Sequence, residues 1–272
     1  MIPVYSIAKP YLASAVLALD LPLESEVGEL VPNLPSTYAT RRVASLLNHT
    51  SGLDDYGRLP EYHRAVAGCE TAWSRSELLS RCESLPHANS GFQYSNIGYL
   101  LLRMAVEQHT GTSMYQAIKR LILDPLGITQ TAEWETATQV VPNYDPRWVY
   151  SGTFLSEPTV IAQNLATLAE HRNRNQTLHF GITPVPYQNT GFDNPGYGFG
   201  FMCDGGKADG IEGDGLPESS PPQWVGHGGG GPGFSLMALV NTSTWQAGLE
   251  WSAAEGFDQT AAIRRLRETL SD

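Results

Sequence analysis

The apolar residues Ile97, Leu100, Leu101, Met104 and Ala105 recur at i, i+3, i+4, i+7 and i+8, a spacing that only a helix buried along one stripe places on a single face. Ser95 in front is an N-cap and Gly111 behind is a stop, so this is the firmest helix in the chain. The same period surrounds it. Ser74 and Glu77 form an S-x-x-E capping box that opens a helix over Arg75 to Ser84. Met114, Ile118, Leu121 and Ile122 carry another as far as Pro125, and Val160 to Leu168 follows Pro158 as a third. Composition then turns to Gly, Pro, Asn and Asp from about Asn173 to Pro222, which favours turns and irregular loops. Short strand-like runs come after it, at Gln223 to His227, Ser235 to Asn241 and Ala247 to Ala253, and Phe257 to Leu270 closes as an amphipathic helix. Helices, then a strand meander, then a helix is an α+β order with an antiparallel sheet.

The 272 residues, 41% of them hydrophobic, suffice for one large domain or two intimately joined ones. A formal net charge of −11 repels phosphate backbones and anionic lipid, so neither nucleic acid nor a membrane surface is expected as a partner. No uncharged apolar run is long enough to span a bilayer. Tyr11 to Leu19 is the longest candidate, but little positive charge flanks it and no clean cleavage site follows, so it reads as a buried amphipathic helix rather than a signal peptide. The default expectation is a cytoplasmic protein. The sequons at Asn48, Asn175 and Asn241 would matter only in a secreted chain. Cys69, Cys82 and Cys203 contain no C-x-x-C pair, and the seven histidines contain no H-E-x-x-H, so neither a disulfide framework nor a metal is expected.

Three clusters stand apart from this scaffold: Ser6-Ile7-Ala8-Lys9, Tyr94-Ser95-Asn96, and His227-Gly228-Gly229-Gly230. Ser6 begins a helix, which puts Lys9 on the same face one turn away. A serine hydroxyl is a weak nucleophile until a base removes its proton, and a lysine whose pKa is lowered by burial can be that base. Tyr94 and Asn96, on a loop leading into the firm helix, would relay a proton and hold an amide or ester oxygen. The glycines after His227 permit close approach and offer N–H groups to an oxyanion. Two other readings of the glycine run fail on context. Gly226 to Gly231 fits G-x-G-x-x-G, but a strand rather than a helix follows it. The H-G-G-G tetrapeptide should precede a G-x-S-x-G elbow, and the chain has none.

In their order and context the clusters resemble the S-x-x-K, Y-x-N and K/H-x-G motifs of the serine β-lactamase and penicillin-binding-protein superfamily, within it the class C-like β-lactamases, esterases and D-aminopeptidases. Leu46-Leu47-Asn48-His49-Thr50-Ser51-Gly52-Leu53, Phe92 to Leu100, Asp124-Pro125-Leu126-Gly127 and Tyr197-Gly198-Phe199-Gly200 are similar to landmarks of that group. The resemblance runs from about Val4 to the C-terminus. It implies an antiparallel sheet flanked by helices with an inserted helical subdomain. The chain would then be a single domain over 1–272, with a helical subdomain at about 35–170 and a sheet subdomain formed by residues 1–34 and about 195–272. The resemblance also implies a serine hydrolase that works through an acyl-enzyme on small esters, amides or β-lactams without metal or cofactor. Ser6 attacks, Lys9 and Tyr94 share acid/base duty, and Asn96, His227, Gly228 and Gly229 bind the substrate. The N–H groups of Ser6 and Gly230 form the oxyanion hole. His49, Trp148 and Tyr150 are read as structural or pocket-wall residues.

Two departures support an alternative, a catalytically inactive or N-terminally truncated homologue that binds a ligand or partner. Pro10 directly follows Lys9 and disfavours a helical lysine. Only five residues precede Ser6, where the family has a helix and strands. Without those strands the run Ala247 to Ala253 becomes an open edge through which copies could associate, and a truncated gene model is the favoured explanation. His227 stands where many relatives carry lysine, so short esters and uncharged amides are expected to be better substrates than penicillins.

Overall fold

A computed structural model describes residues 1–88, 91–134, 140–204 and 221–271. In chain order the elements are β1 (Ile2–Pro3), α1 (Ala8–Ala18), α2 (Ser36–Ala39), α3 (Val43–Leu47), α4 (Pro60–Ala67), α5 (Arg75–Cys82), α6 (Asn96–Thr110) and α7 (Met114–Ile118). There follow β2 (Thr131–Ala132), β3 (Leu155–Ser156), α8 (Pro158–Arg174), β4 (Thr183–Pro184), β5 (Pro195–Tyr197) and β6 (Met202–Asp204). β7 (Trp224–Gly231), β8 (Phe234–Asn241), β9 (Ala247–Ser252) and α9 (Gln259–Thr269) complete the chain. The main sheet is antiparallel in the order β4-β5-β6-β7-β8-β9, and a small second sheet runs β1-β3-β2.

The helix signals in the sequence work locally as expected. Ser95 Oγ accepts the Gly98 N–H and so caps α6, and Gly111 ends that helix with a φ of 66°. Ser74 Oγ likewise accepts the Glu77 N–H ahead of α5, while the Glu77 carboxylate pairs with Arg81 instead of reaching back.

β8 explains why the sheet is covered on both faces. Leu236, Ala238 and Val240 join the large helical core, whereas Met237 and Leu239 pack with Ala262, Ile263 and Leu266 of α9. Successive side chains of a strand point to opposite faces, so an unbroken apolar run marks a strand buried twice. Each fully buried Leu or Val contributes roughly 1.5–3 kcal/mol.

Three expectations change. α1 is not amphipathic: every residue from Ala8 to Val16 is buried, because α6, α7 and α8 pack around it. Pro10 sits in the first turn of α1, where a missing N–H leaves no helical hydrogen bond unmade, so Lys9 is helical after all. Finally, the stretch from 173 to 222 holds the last turn of α8 and the short strands β4, β5 and β6; residues 205–220 lie outside those described. Strands of two or three residues carry too little alternation to register in a sequence rich in turn formers.

β9 is the outer strand on its side of the sheet, and among the described residues nothing pairs with its free edge. Trp251 on it is 45% exposed. No helix of the described residues is long and apolar enough to cross a membrane.

Candidate active site

Ser6 lies in a single 3-10 turn, Tyr5–Ile7, that leads into α1, so Lys9 sits one turn along from it as the spacing requires. The turn is forced. Tyr5 has a φ of 46°, a left-handed conformation that costs a non-glycine residue on the order of 1–3 kcal/mol. Its buried ring packs against Gly231, where a Cβ would lie 2.4 Å from a ring carbon, and its hydroxyl donates to Pro232 O across the β7–β8 turn. The sheet thus holds the strained residue beside Ser6 in place. Nothing in the sequence marks Tyr5 for this task.

Lys9 is 1% exposed, and its Nζ is 2.8 Å from Ser6 Oγ, 2.7 Å from Asn96 Oδ1 and 3.5 Å from Ser151 Oγ. Burial pushes its pKa down to about 7, against a smaller upward pull from Asp55. Near neutral pH much of Lys9 is therefore an amine with a lone pair. The Tyr94 hydroxyl donates to Ser6 Oγ at 3.1 Å. Burial drives the Tyr94 pKa far above its ordinary value, outweighing the hydrogen bond to Ser6, so the group is a phenol and a proton donor. The two environments separate the roles that sequence left shared: of the pair, only Lys9 can act as base near pH 7.

The loop that precedes α6 is tied to the loop after α3. The Asn96 N–H donates to Asp55 Oδ2 at 2.6 Å, Ser95 Oγ donates to Asp54 O, and the Ser95 N–H donates to His49 Nδ1 at 3.1 Å. His49 lies under Tyr94, ring centroids 4.3 Å apart, and burial keeps it neutral. With Oδ1 bonded to Lys9, the amide nitrogen of Asn96 remains a donor that nothing among the described residues accepts.

The expected strand Gln223 to His227 continues through the glycines to Gly231 as β7. Gly229 and Gly231 are needed for contact with the turn that bears Ser6, since a Cβ on Gly229 would lie 2.5 Å from Val4 O and one on Gly231 would meet the Tyr5 ring. His227 is 2% exposed and both ring nitrogens are engaged. Nδ1 is 2.6 Å from Gly228 O, which can only accept, so Nδ1 carries the proton and Nε2 accepts from the Tyr197 hydroxyl at 2.9 Å. Burial and the nearby Lys9 push the His227 pKa down to about 3, so the imidazole is neutral.

A cavity of about 400 Å³ opens over Ser6. Phe92, Tyr94, Tyr187, Phe192, Tyr197 and Phe257 form aromatic walls; His227, the three glycines and Gln259 supply polar edges. Among the described residues no carboxylate, ammonium or guanidinium lines it, and none of them form a His/Cys/Asp/Glu group able to hold a metal. The three sequence clusters, 88 and 133 residues apart along the chain, thus meet at one cavity. Gln259 and Ser151 escaped the sequence reading because neither belongs to a motif.

A family model described as beta-lactamase matches residues 1–254. The chain belongs to the beta-lactamase family. Among curated proteins it is similar to penicillin-binding protein 4* of Bacillus subtilis (strain 168), 26% identical in an alignment 274 positions long that covers 86% of this chain and 56% of that protein. The chain thus spans about half the length of this relative. Among solved structures it is similar to the D-amino acid amidase of Ochrobactrum anthropi in its L-phenylalanine complex, with a TM-score of 0.73 at 20% identity over 99% of this chain and 83% of that one. It also resembles the octameric penicillin-binding protein homologue of Pyrococcus abyssi, with a TM-score of 0.71 at 20% identity over 98% and 65% of the two chains. These likenesses show the β-lactamase/transpeptidase-like α+β fold.

Proposed function

We propose that this beta-lactamase family member is a serine hydrolase acting through an acyl-enzyme on small uncharged esters and amides. The observation that carries the reading is the buried Lys9 amine, with a pKa near 7, held 2.8 Å from Ser6 Oγ. As Ser6 Oγ forms its bond to the substrate carbonyl carbon, its proton passes to Lys9 Nζ and the carbonyl electron pair moves onto oxygen. The N–H groups of Ser6 and Gly230 receive that oxyanion, and the free amide nitrogen of Asn96 binds the substrate's own amide or ester oxygen. When the intermediate collapses, Tyr94 gives its proton to the departing alkoxide or amine, and the phenolate left behind takes back a proton through water in the cavity while the Lys9 ammonium releases one to that water. Water then attacks the acyl carbon with Lys9 again as base, releasing the acid and free Ser6.

The cavity walls favour an uncharged, apolar substrate. A penicillin or peptide carboxylate would leave water for a pocket whose described lining holds no cation, and His227 is neutral with both nitrogens engaged. Gly228, Gly229 and His227 then act by shape and by backbone. We further place self-association at the free edge of β9. The test of the activity is hydrolysis of p-nitrophenyl acetate and butyrate by the wild-type chain and by Ser6→Ala. Turnover that falls by several orders of magnitude in the variant supports the reading, and equal turnover ends it.

A further inference from the structure

Ser151 belongs to none of the three clusters, yet its hydroxyl is the third oxygen around Lys9 Nζ, at 3.5 Å, and the residue is 2% exposed. With Cε, the three oxygens of Ser6, Asn96 and Ser151 give the nitrogen four neighbours. A neutral lysine amine has two N–H bonds and one lone pair. Asn96 Oδ1 can only accept, so one N–H goes there. The remaining N–H and the lone pair are divided between Ser6 and Ser151, and catalysis requires the lone pair to face Ser6.

We propose that Ser151 is a positioning residue for Lys9: its hydroxyl accepts the second N–H and thereby leaves the lone pair directed at the Ser6 proton. This rests on the acyl-enzyme reading above. Without Ser151 the second N–H would have Ser6 Oγ as its remaining acceptor, and an amine that donates to the nucleophile cannot remove its proton. The fold fixes Ser151 relative to Ser6 through a shared strap. Leu155 and Ser156 of β3 pair with Pro3 and Ile2 of β1, and the Val4 N–H donates to Phe154 O at 3.0 Å. On the other side of Ser151, the Gly152 N–H donates to Val149 O and the Tyr150 hydroxyl donates to Trp73 O, both at 2.9 Å. The segment bearing Ser151 is thus paired with the one that leads into Ser6 on one side and tied to Trp73 on the other.

The experiment compares wild type, Ser151→Ala and Ser151→Cys. The cysteine variant keeps the buried volume but offers only a weak acceptor, so it preserves packing while removing the hydrogen bond. The rate of Ser6 labelling by a fluorophosphonate and the kcat and KM for p-nitrophenyl butyrate are measured across pH. We expect kcat to fall ten- to a hundredfold in both variants with KM within twofold, as for a misdirected catalytic group. The acid limb of the pH profile should also move to lower pH, because the ammonium form loses an acceptor that stabilised its charge. Variants that label and turn over like wild type overturn the inference, as does a loss of rate with an unmoved limb and a raised KM, which is what disturbed packing alone would produce. A wild-type chain that neither labels nor hydrolyses the ester overturns the hydrolase reading, and this inference with it.

Discussion

Replacing Lys9 with methionine tests the electrostatics of the site through stability alone, with no substrate needed. Lys9 has an ordinary pKa of 10.5 when exposed and about 7 in the folded chain, where burial penalises its charge. The charged form is therefore the one that folding destabilises. That cost is fully present below pH 7 and fades as pH rises from 7 towards 10.5, where the unfolded lysine also loses its proton. At about 1.4 kcal/mol per tenfold change, the cost is on the order of 4 kcal/mol at pH 7 and on the order of 1 kcal/mol at pH 9.5. Methionine fills similar space and carries no charge, so it removes the whole term, while both pH values share the loss of hydrogen bonds to Asn96 and Ser6. Urea unfolding of wild type and Lys9→Met at the two pH values should show the variant's stability relative to wild type to be about 3 kcal/mol more favourable at pH 7 than at pH 9.5. Taking the difference cancels other groups that titrate in both chains. A relative stability that stays constant within about 0.5 kcal/mol would refute the reasoning. Lys9 would then bear its charge comfortably and could not serve as a base near neutrality.

The remaining expectations concern rate. Because only neutral Lys9 can accept a proton, kcat/KM for an ester should rise with pH through an acid limb near 7, and a flat profile from pH 5 to 9 would contradict this. Gly229→Ala places a Cβ 2.5 Å from Val4 O, a backbone atom that cannot swing aside, so β7 must withdraw from the nucleophile turn. Activity should fall about a hundredfold while circular dichroism is unchanged, and wild-type turnover would show that the contact is slack. Benzylpenicillin should be a poorer substrate by kcat/KM than neutral esters, since its carboxylate meets no cation among the described wall residues; a large preference for the penicillin would reverse the assignment of the pocket.

Much of the fold was legible where a local rule operates. Ser95, Gly111 and the stripe from Ile97 to Ala105 gave α6 because capping and a period of 3.6 need no partner to be recognised. Strand β8 was legible for the same reason, as a run of apolar residues between turns. The strand through Gly228 to Gly231 was not. Glycine has low strand propensity, and at Gly229 and Gly231 it is required by Val4 and Tyr5, residues over two hundred positions away that no local window contains. Pro10 misled for a related reason: its cost depends on whether it falls in the first turn of a helix or inside it, and the start of α1 is set by the 3-10 turn around Ser6. At the site, Ser6, Lys9, Tyr94, Asn96 and His227 could be named because they fall in short motifs. Tyr5, Ser151 and Gln259 reach the site only through tertiary packing. The engagement of His227 Nε2, which together with the Nδ1 bond to Gly228 O occupies both ring nitrogens, depends on Tyr197 thirty residues away.

The most direct test of the central claim is the mass of the intact protein after incubation with a fluorophosphonate at pH 8, followed by mapping of the modified peptide. Activation of Ser6 by Lys9 predicts one adduct per chain, located on Ser6, absent from Ser6→Ala and formed far more slowly by Lys9→Met. A folded chain that acquires no adduct, or that acquires it on another serine, would contradict the claim that Ser6 and Lys9 form the working nucleophile and base.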